Sequence, residues 1–170
     1  NQLGDLATGA YADYTGYHAM NGPIKVTEPS TLEQIADPGH WQPLTFTNLA
    51  GQEVTPNFIA PQWGNVTPFA MTSPSQFRPV PPAAVGSAQY RQQAQDLIDM
   101  SANLTDEQKC IAEYWADGPN SELPPGHFNL FAQLVSQRDH HTLDQDVKMF
   151  FALTNAVSDA GIAVWEAKRF

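Results

Sequence analysis

Eleven of the chain's fourteen prolines fall between Pro23 and Pro82, and no other feature restricts the fold as strongly. Proline fixes φ and removes a backbone donor, so neither a long helix nor a central strand is readily built through "DPGHW", "TPF" or "VPP". Extended segments and turns are expected there, with one short helix at "TLEQIA" (31–36). Such a segment survives by lying on a core supplied by something else, and Trp41, Phe46, Phe58, Trp63 and Phe69 are its natural anchors. A disordered Pro-rich linker is the plain alternative, and these large aromatics argue against it.

From Ala88 the pattern changes. "SAQYRQQAQDLIDMSA" (87–102) and "LTDEQKCIAEYWADG" (104–118) read as helices, and Thr105 with Gln108 matches the Ser/Thr-x-x-Glu/Gln capping pattern. "DGP" (117–119) ends the second of these. A third helix is expected over 127–139 and a fourth over 142–170, the fourth opened by acidic residues that suit its positive N-terminal end. Short connections predict antiparallel or obliquely crossed neighbours. In the fourth helix an apolar stripe with helical spacing runs through Val147, Phe150, Phe151, Thr154, Val157, Gly161, Val164 and Trp165, and its next position is Lys168. No Gly, Asn or Pro stop signal follows, so the helix is expected to continue past Phe170.

At 170 residues and 42% apolar content, the chain has the makings of one globular domain or part of one. A formal net charge of −10 without a Lys/Arg cluster disfavours nucleic acid and acidic membrane surfaces as partners. The single cysteine, Cys110, allows no internal disulfide and reads as a packed small residue. The first twenty residues lack the charged and apolar regions of a signal peptide, and a start left after removal of one is the compatible alternative. No continuous stretch approaches the ~20 apolar residues of a membrane span, so a soluble chain is expected.

Few side chains suggest chemistry. Lys168 has two readings: a lysine snorkelling outward from the edge of the stripe, or an ammonium held inside a helical bundle to bind an anion. His127, in "PPGHFN", is either a surface or satisfied core residue, or an acid-base group projecting into a cleft. Adjacent His140 and His141 point apart, and no His-x3-His zinc spacing is present. Glu113 and Asp117, four apart near a helix end, read as a solvated carboxylate pair. Gly-x-Gly phosphate loops, Gly-x-Ser-x-Gly elbows and Cys/His triads are absent.

Three stretches, "IAEYWADGPNSELPPGHFN" (111–129), "FFALTNAVSDAGIAVWEAKRF" (150–170) and "HWQPL" (40–44), together resemble the N-terminal helical half of vanadium-dependent haloperoxidases, members of the superfamily that includes type 2 phosphatidic acid phosphatases. The resemblance implies an all-α fold: a helical bundle formed by 87–170, preceded by an irregular Pro-rich segment, 1–86, packed on the helical core. Vanadate, or phosphate in its place, is the implied cofactor, with hydrogen peroxide and halide as substrates. Lys168 falls where the family's first motif begins and would donate to an oxygen of the oxyanion. Trp165, one turn earlier, matches an aromatic lining the pocket, and Asp117 an acidic residue supporting a later arginine. "PPGH" is not the family's Pro-Ser-Gly-His motif, since Pro125 stands where Ser belongs; His127 is expected at the pocket mouth. The remaining ligands belong to motifs beyond Phe170, so a C-terminal half is the implied partner, and a homo-oligomer is compatible with the family. An acid phosphatase of the same fold and a non-catalytic helical interaction module are the alternatives. The resemblance, with the absence of an intracellular cofactor motif, also suggests a secreted, periplasmic or otherwise extracytoplasmic protein.

Overall fold

The computed structural model describes residues 16–27, 35–56, 58, 60–118 and 121–170. Three short strands, β1 (Ile24–Lys25), β2 (Leu44–Thr47) and β3 (Glu53–Val54), are followed by a 3-10 turn at Trp63–Asn65 and four helices: α1 (Ala88–Ala102), α2 (Asp106–Tyr114), α3 (Leu123–Asp139) and α4 (Leu143–Ala167). Close contacts gather these into two compact units. One comprises the chain up to Val66 together with Trp165–Phe170; the other is Thr67–Val164.

The all-α expectation is corrected by a small mixed sheet in the first unit. β2 is central, parallel to β1 through Ile24↔Leu44 and Lys25↔Thr45, and antiparallel to β3 through Phe46↔Val54 and Thr47↔Glu53. Its prolines explain why strands are tolerated here. Pro23 and Pro43 immediately precede β1 and β2 and Pro56 follows β3, positions where a missing N–H breaks no central ladder. Between Pro43 and Pro56 the chain is free of proline and reads "LTFTNLAGQEVT", an alternating segment interrupted by a turn. Asn48 closes that turn: its Oδ1 accepts from the N–H groups of Ala50 and Gln52 at 2.9 and 3.0 Å. Gly51, at φ 77°, takes the left-handed position that a three-residue hairpin loop requires.

A buried amide organises the loop before β2. Asn21, 2% exposed, donates from Nδ2 to the carbonyls of Asp37, His40 and Trp41 at 2.9, 3.2 and 3.2 Å, and its Oδ1 accepts from the Asp37 N–H at 2.8 Å. The turn in "DPGHW" is thereby wrapped around one side chain. Phe58 then touches Tyr17, Trp41 and Trp165, with ring centroids 4.7, 5.2 and 5.3 Å apart. One of the aromatic anchors expected from the sequence, Phe58, thus meets the end of α4, and a second, Trp41, packs on it. The helix expected at 31–36 has residues 31–34 outside the described part of the chain.

In the second unit the helices start where capping chemistry places them. Ser87 accepts from the Tyr90 N–H at the start of α1, and Thr105 and Gln108 form the complete reciprocal capping box of α2. α3 begins at Leu123, four residues before the expected start, because Pro124 and Pro125 lie in its first turn, where N–H groups have no intrahelical partner anyway. α2 stops at Tyr114, before "DGP". His140 caps α3 in the left-handed conformation, and His141 pairs with Asp146 of α4 at 3.2 Å.

The expected clean all-α bundle is not seen: among the described residues the helix backbones make few close approaches to one another. α1 and α2 bury none of their residues, and Cys110, expected to be packed, is exposed for that reason. α4 buries Asp159 and Ile162, while Val147, Phe151 and Val164 of the apolar stripe are exposed. α4 is also long and apolar enough to cross a membrane by length and composition, with an 18-residue stretch of mean hydropathy 1.3. Thr154, Asn155, Ser158 and Asp159 interrupt its apolar residues, so no continuous run announces this in the sequence.

Candidate functional site

The sequence candidates fall into two groups, each inside one unit. In the first unit, Lys168 follows the end of α4, where a positive charge complements the negative end of the helix dipole. Its Nζ stands 4.2 Å from the centroid of the Trp165 ring, a cation–π contact. Lys168 is exposed and has no carboxylate partner among the described residues. Its neighbour Arg169 donates from Nη1 to the carbonyl of Pro61 at 2.8 Å and lies 5.2 Å from the Tyr17 ring, pinning the chain after α4.

Beside this pair is a cleft of about 330 Å³ lined in part by Pro61, Asn65, Trp165, Glu166 and Arg169. Lys168 does not line it. The wall is set by Gly64: a Cβ there would lie 2.7 Å from Glu166 Cα and 2.8 Å from Glu166 N, so only glycine allows the 3-10 turn to meet the last turn of α4. With Arg169, Glu166 and an indole face around one hollow, the surface suits a small polar ligand.

The second group is centred on His127, one turn into α3. Its Nδ1 lies 2.9 Å from Asp117 Oδ1, with side-chain exposures of only 7% and 11%. An ionised carboxylate can only accept, so Nδ1 carries the hydrogen and Nε2 is the lone-pair nitrogen of the neutral ring. Tyr114, Trp115 and Phe131 surround the imidazole at centroid distances of 4.9, 5.1 and 4.8 Å. Asp117, given a supporting role toward an arginine by the resemblance, is engaged by His127 here, and His127 is enclosed by aromatic rings. An Asp–His pair of this kind orients an imidazole for proton transfer or for holding a metal.

Two residues escaped sequence reasoning. Glu122 places its carboxylate near the pair, with Asp117, Glu122 and His127 ligand atoms all within 4.8 Å of one another. Asp159, 5% exposed in the middle of α4, accepts three consecutive N–H groups: from Phe69 at 2.6 Å on one oxygen, and from Ala70 and Met71 at 2.7 and 2.9 Å on the other. Burial pushes its pKa up, but the three backbone donors outweigh burial and hold the carboxyl below the usual carboxylate range. Phe69 stacks edge-on against Phe151 at 5.5 Å, so this clamp also seats one of the expected aromatic anchors. A lone Asp in an apolar helix is itself a signal, since a buried charge must find donors.

No family model, no curated protein and no solved structure matches the chain.

Proposed function

We propose that the chain is the N-terminal portion of an oxyanion-binding enzyme of the vanadium haloperoxidase type, with Lys168 as one of the donors to the bound oxyanion. The observation that carries this reading is the Lys168 ammonium, held over the Trp165 ring at 4.2 Å with no carboxylate to neutralise it among the described residues. An ammonium in that state offers three N–H donors to an anion. Toward vanadate or phosphate the described residues fit in part: Lys168 supplies a donor, Trp165 an apolar face behind it, and the further donors come from outside this chain.

Vanadate, when bound, supplies Lewis-acid polarisation of peroxide. The chain's own contribution is positional. Arg169, fixed to Pro61, and Gly64, fitted against Glu166, hold the residues around Lys168, so the ammonium reaches the ligand from a defined base. The uncovered faces of α1, α2 and α4 support the same reading, because they match the interior of a larger helical domain whose other helices would cover them.

A second reading, a helical interaction module, is favoured by the exposure of Lys168 and by the outward-facing Leu97, Ile98 and Ile111 of α1 and α2. A third, an acid phosphatase, shares the same ligand chemistry. Bromide oxidation by hydrogen peroxide, measured with and without added vanadate on the protein as isolated from its source, separates them. Vanadate-dependent oxidation is the expected outcome. Phosphate-ester hydrolysis without it selects the phosphatase, and neither activity selects the interaction module.

A further inference from the structure

We infer that Asp117, Glu122 and His127 form a binding site for one divalent transition-metal ion, of the zinc class, in the second unit. The site is independent of the oxyanion reading, which concerns Lys168 in the other unit. The geometry is suited to it. His127 Nδ1 and Asp117 Oδ1 are 2.9 Å apart, close to the edge between two adjacent donors each about 2.1 Å from an ion. The three donor atoms lie within 4.8 Å of one another, and the widest spacing around one ion of that size is about 4.2 Å. A movement of the Glu122 carboxylate, which is exposed and makes no capping hydrogen bond to α3, closes the difference.

Charge points the same way. Two carboxylates this close, one of them nearly buried, repel through a medium that screens poorly, and a divalent ion converts that repulsion into attraction. His127 adds a borderline nitrogen donor to two oxygens, a set that selects zinc-like ions over calcium or magnesium. The aromatic rings of Tyr114, Trp115 and Phe131 form the apolar shell that excludes water from such a centre.

The local backbone is shaped to bring Glu122 in. Leu123 adopts φ 61°, a left-handed conformation that a branched side chain enters at a cost, and it turns the chain between Glu122 and α3. Gly126 leaves the space: a Cβ there would lie 2.8 Å from Glu122 Cβ and 3.4 Å from its Cγ. On binding, the imidazole and Asp117 exchange their mutual hydrogen bond for bonds to the ion: the ring passes to its other neutral tautomer, Nδ1 giving up its hydrogen and Nε2 taking one from solvent.

The test is titration of the chelator-stripped full chain with Zn²⁺ by calorimetry and with Co²⁺ by visible absorption. Glu122→Gln is the principal variant, since an exposed residue is replaced without disturbing the fold, and circular dichroism verifies that. One equivalent of saturable Zn²⁺ binding is expected, with a Co²⁺ d–d band and at least a tenfold loss of affinity in Glu122→Gln. The inference is overturned by the absence of saturable binding at millimolar Zn²⁺. Binding that Glu122→Gln leaves unchanged, as other histidines such as His40 would give, also overturns it.

Discussion

Asp159 shows at the scale of one residue how this chain tolerates a charge in an apolar helix. Its two oxygens accept from three successive backbone N–H groups, so the carboxylate replaces the water it lost. Replacing it with asparagine removes the charge and turns an amide N–H₂ toward N–H donors. Asp159→Asn is expected to cost roughly 1.5–3 kcal/mol at neutral pH, read from urea unfolding. Because the folded-state pKa is depressed, the contribution is complete above the unfolded carboxyl value of about 3.9 and is lost as pH falls through the folded value. The stability gap between parent and variant should therefore shrink below about pH 4; a gap that persists unchanged there would remove the carboxylate from the account. Among single residues, the sequence singled out Lys168 by its place after a stripe and His127 by its place after a turn. The pairing of His127 with Asp117 was not legible, because it depends on α2 ending at Tyr114 and α3 starting at Leu123, boundaries that the capping signals leave loose by several residues.

Elements divide into those specified locally and those specified by contact. α1, α2 and the Asn48–Gly51 hairpin carry their caps and turn residues in the sequence, and they form where those residues stand. The short strands were hidden by the prolines around them, which forbid a strand through their own positions and permit one between. α4 was legible as a helix over nearly its whole length, yet its buried residues were not: Val147, Phe151 and Val164 of the regular stripe are exposed, whereas Asp159 is buried where it finds backbone donors. The junction of the 3-10 turn with the end of α4 is a matter of contact alone. Gly64→Ala puts a methyl group 2.7 Å from Glu166 Cα, backbone against which nothing flexible can yield. A loss of roughly 1–3 kcal/mol is expected from this overpacking, together with faster amide hydrogen exchange over Trp165–Ala167. Parent-like stability and exchange in Gly64→Ala would show that the turn does not support the Lys168 region.

For the molecule as a whole, the shortage of buried apolar side chains is the governing fact. Among the described residues only Ala60, Ala132 and Ile162 are buried hydrophobics, while Leu97, Ile111, Leu134, Val147, Phe151 and Val164 are exposed. Composition, with 42% of the residues apolar, led to the expectation of a chain able to build a core. What composition does not reveal is whether those residues cover one another, which is a property of helix packing, and among the described residues these helix backbones make few close approaches to one another. The proposal that further helices cover them and complete an oxyanion site beside Lys168 joins the exposed faces to an ammonium without a carboxylate partner among the described residues. The measurement that bears on it most directly is equilibrium binding of orthovanadate, followed by ⁵¹V NMR, to the protein as isolated from its source and to its Lys168→Ala variant. The account predicts saturable binding that weakens by roughly one to two orders of magnitude in the variant, the worth of a hydrogen bond to a charged group. Equal vanadate affinity in the two proteins, or no saturable binding in either, would contradict it.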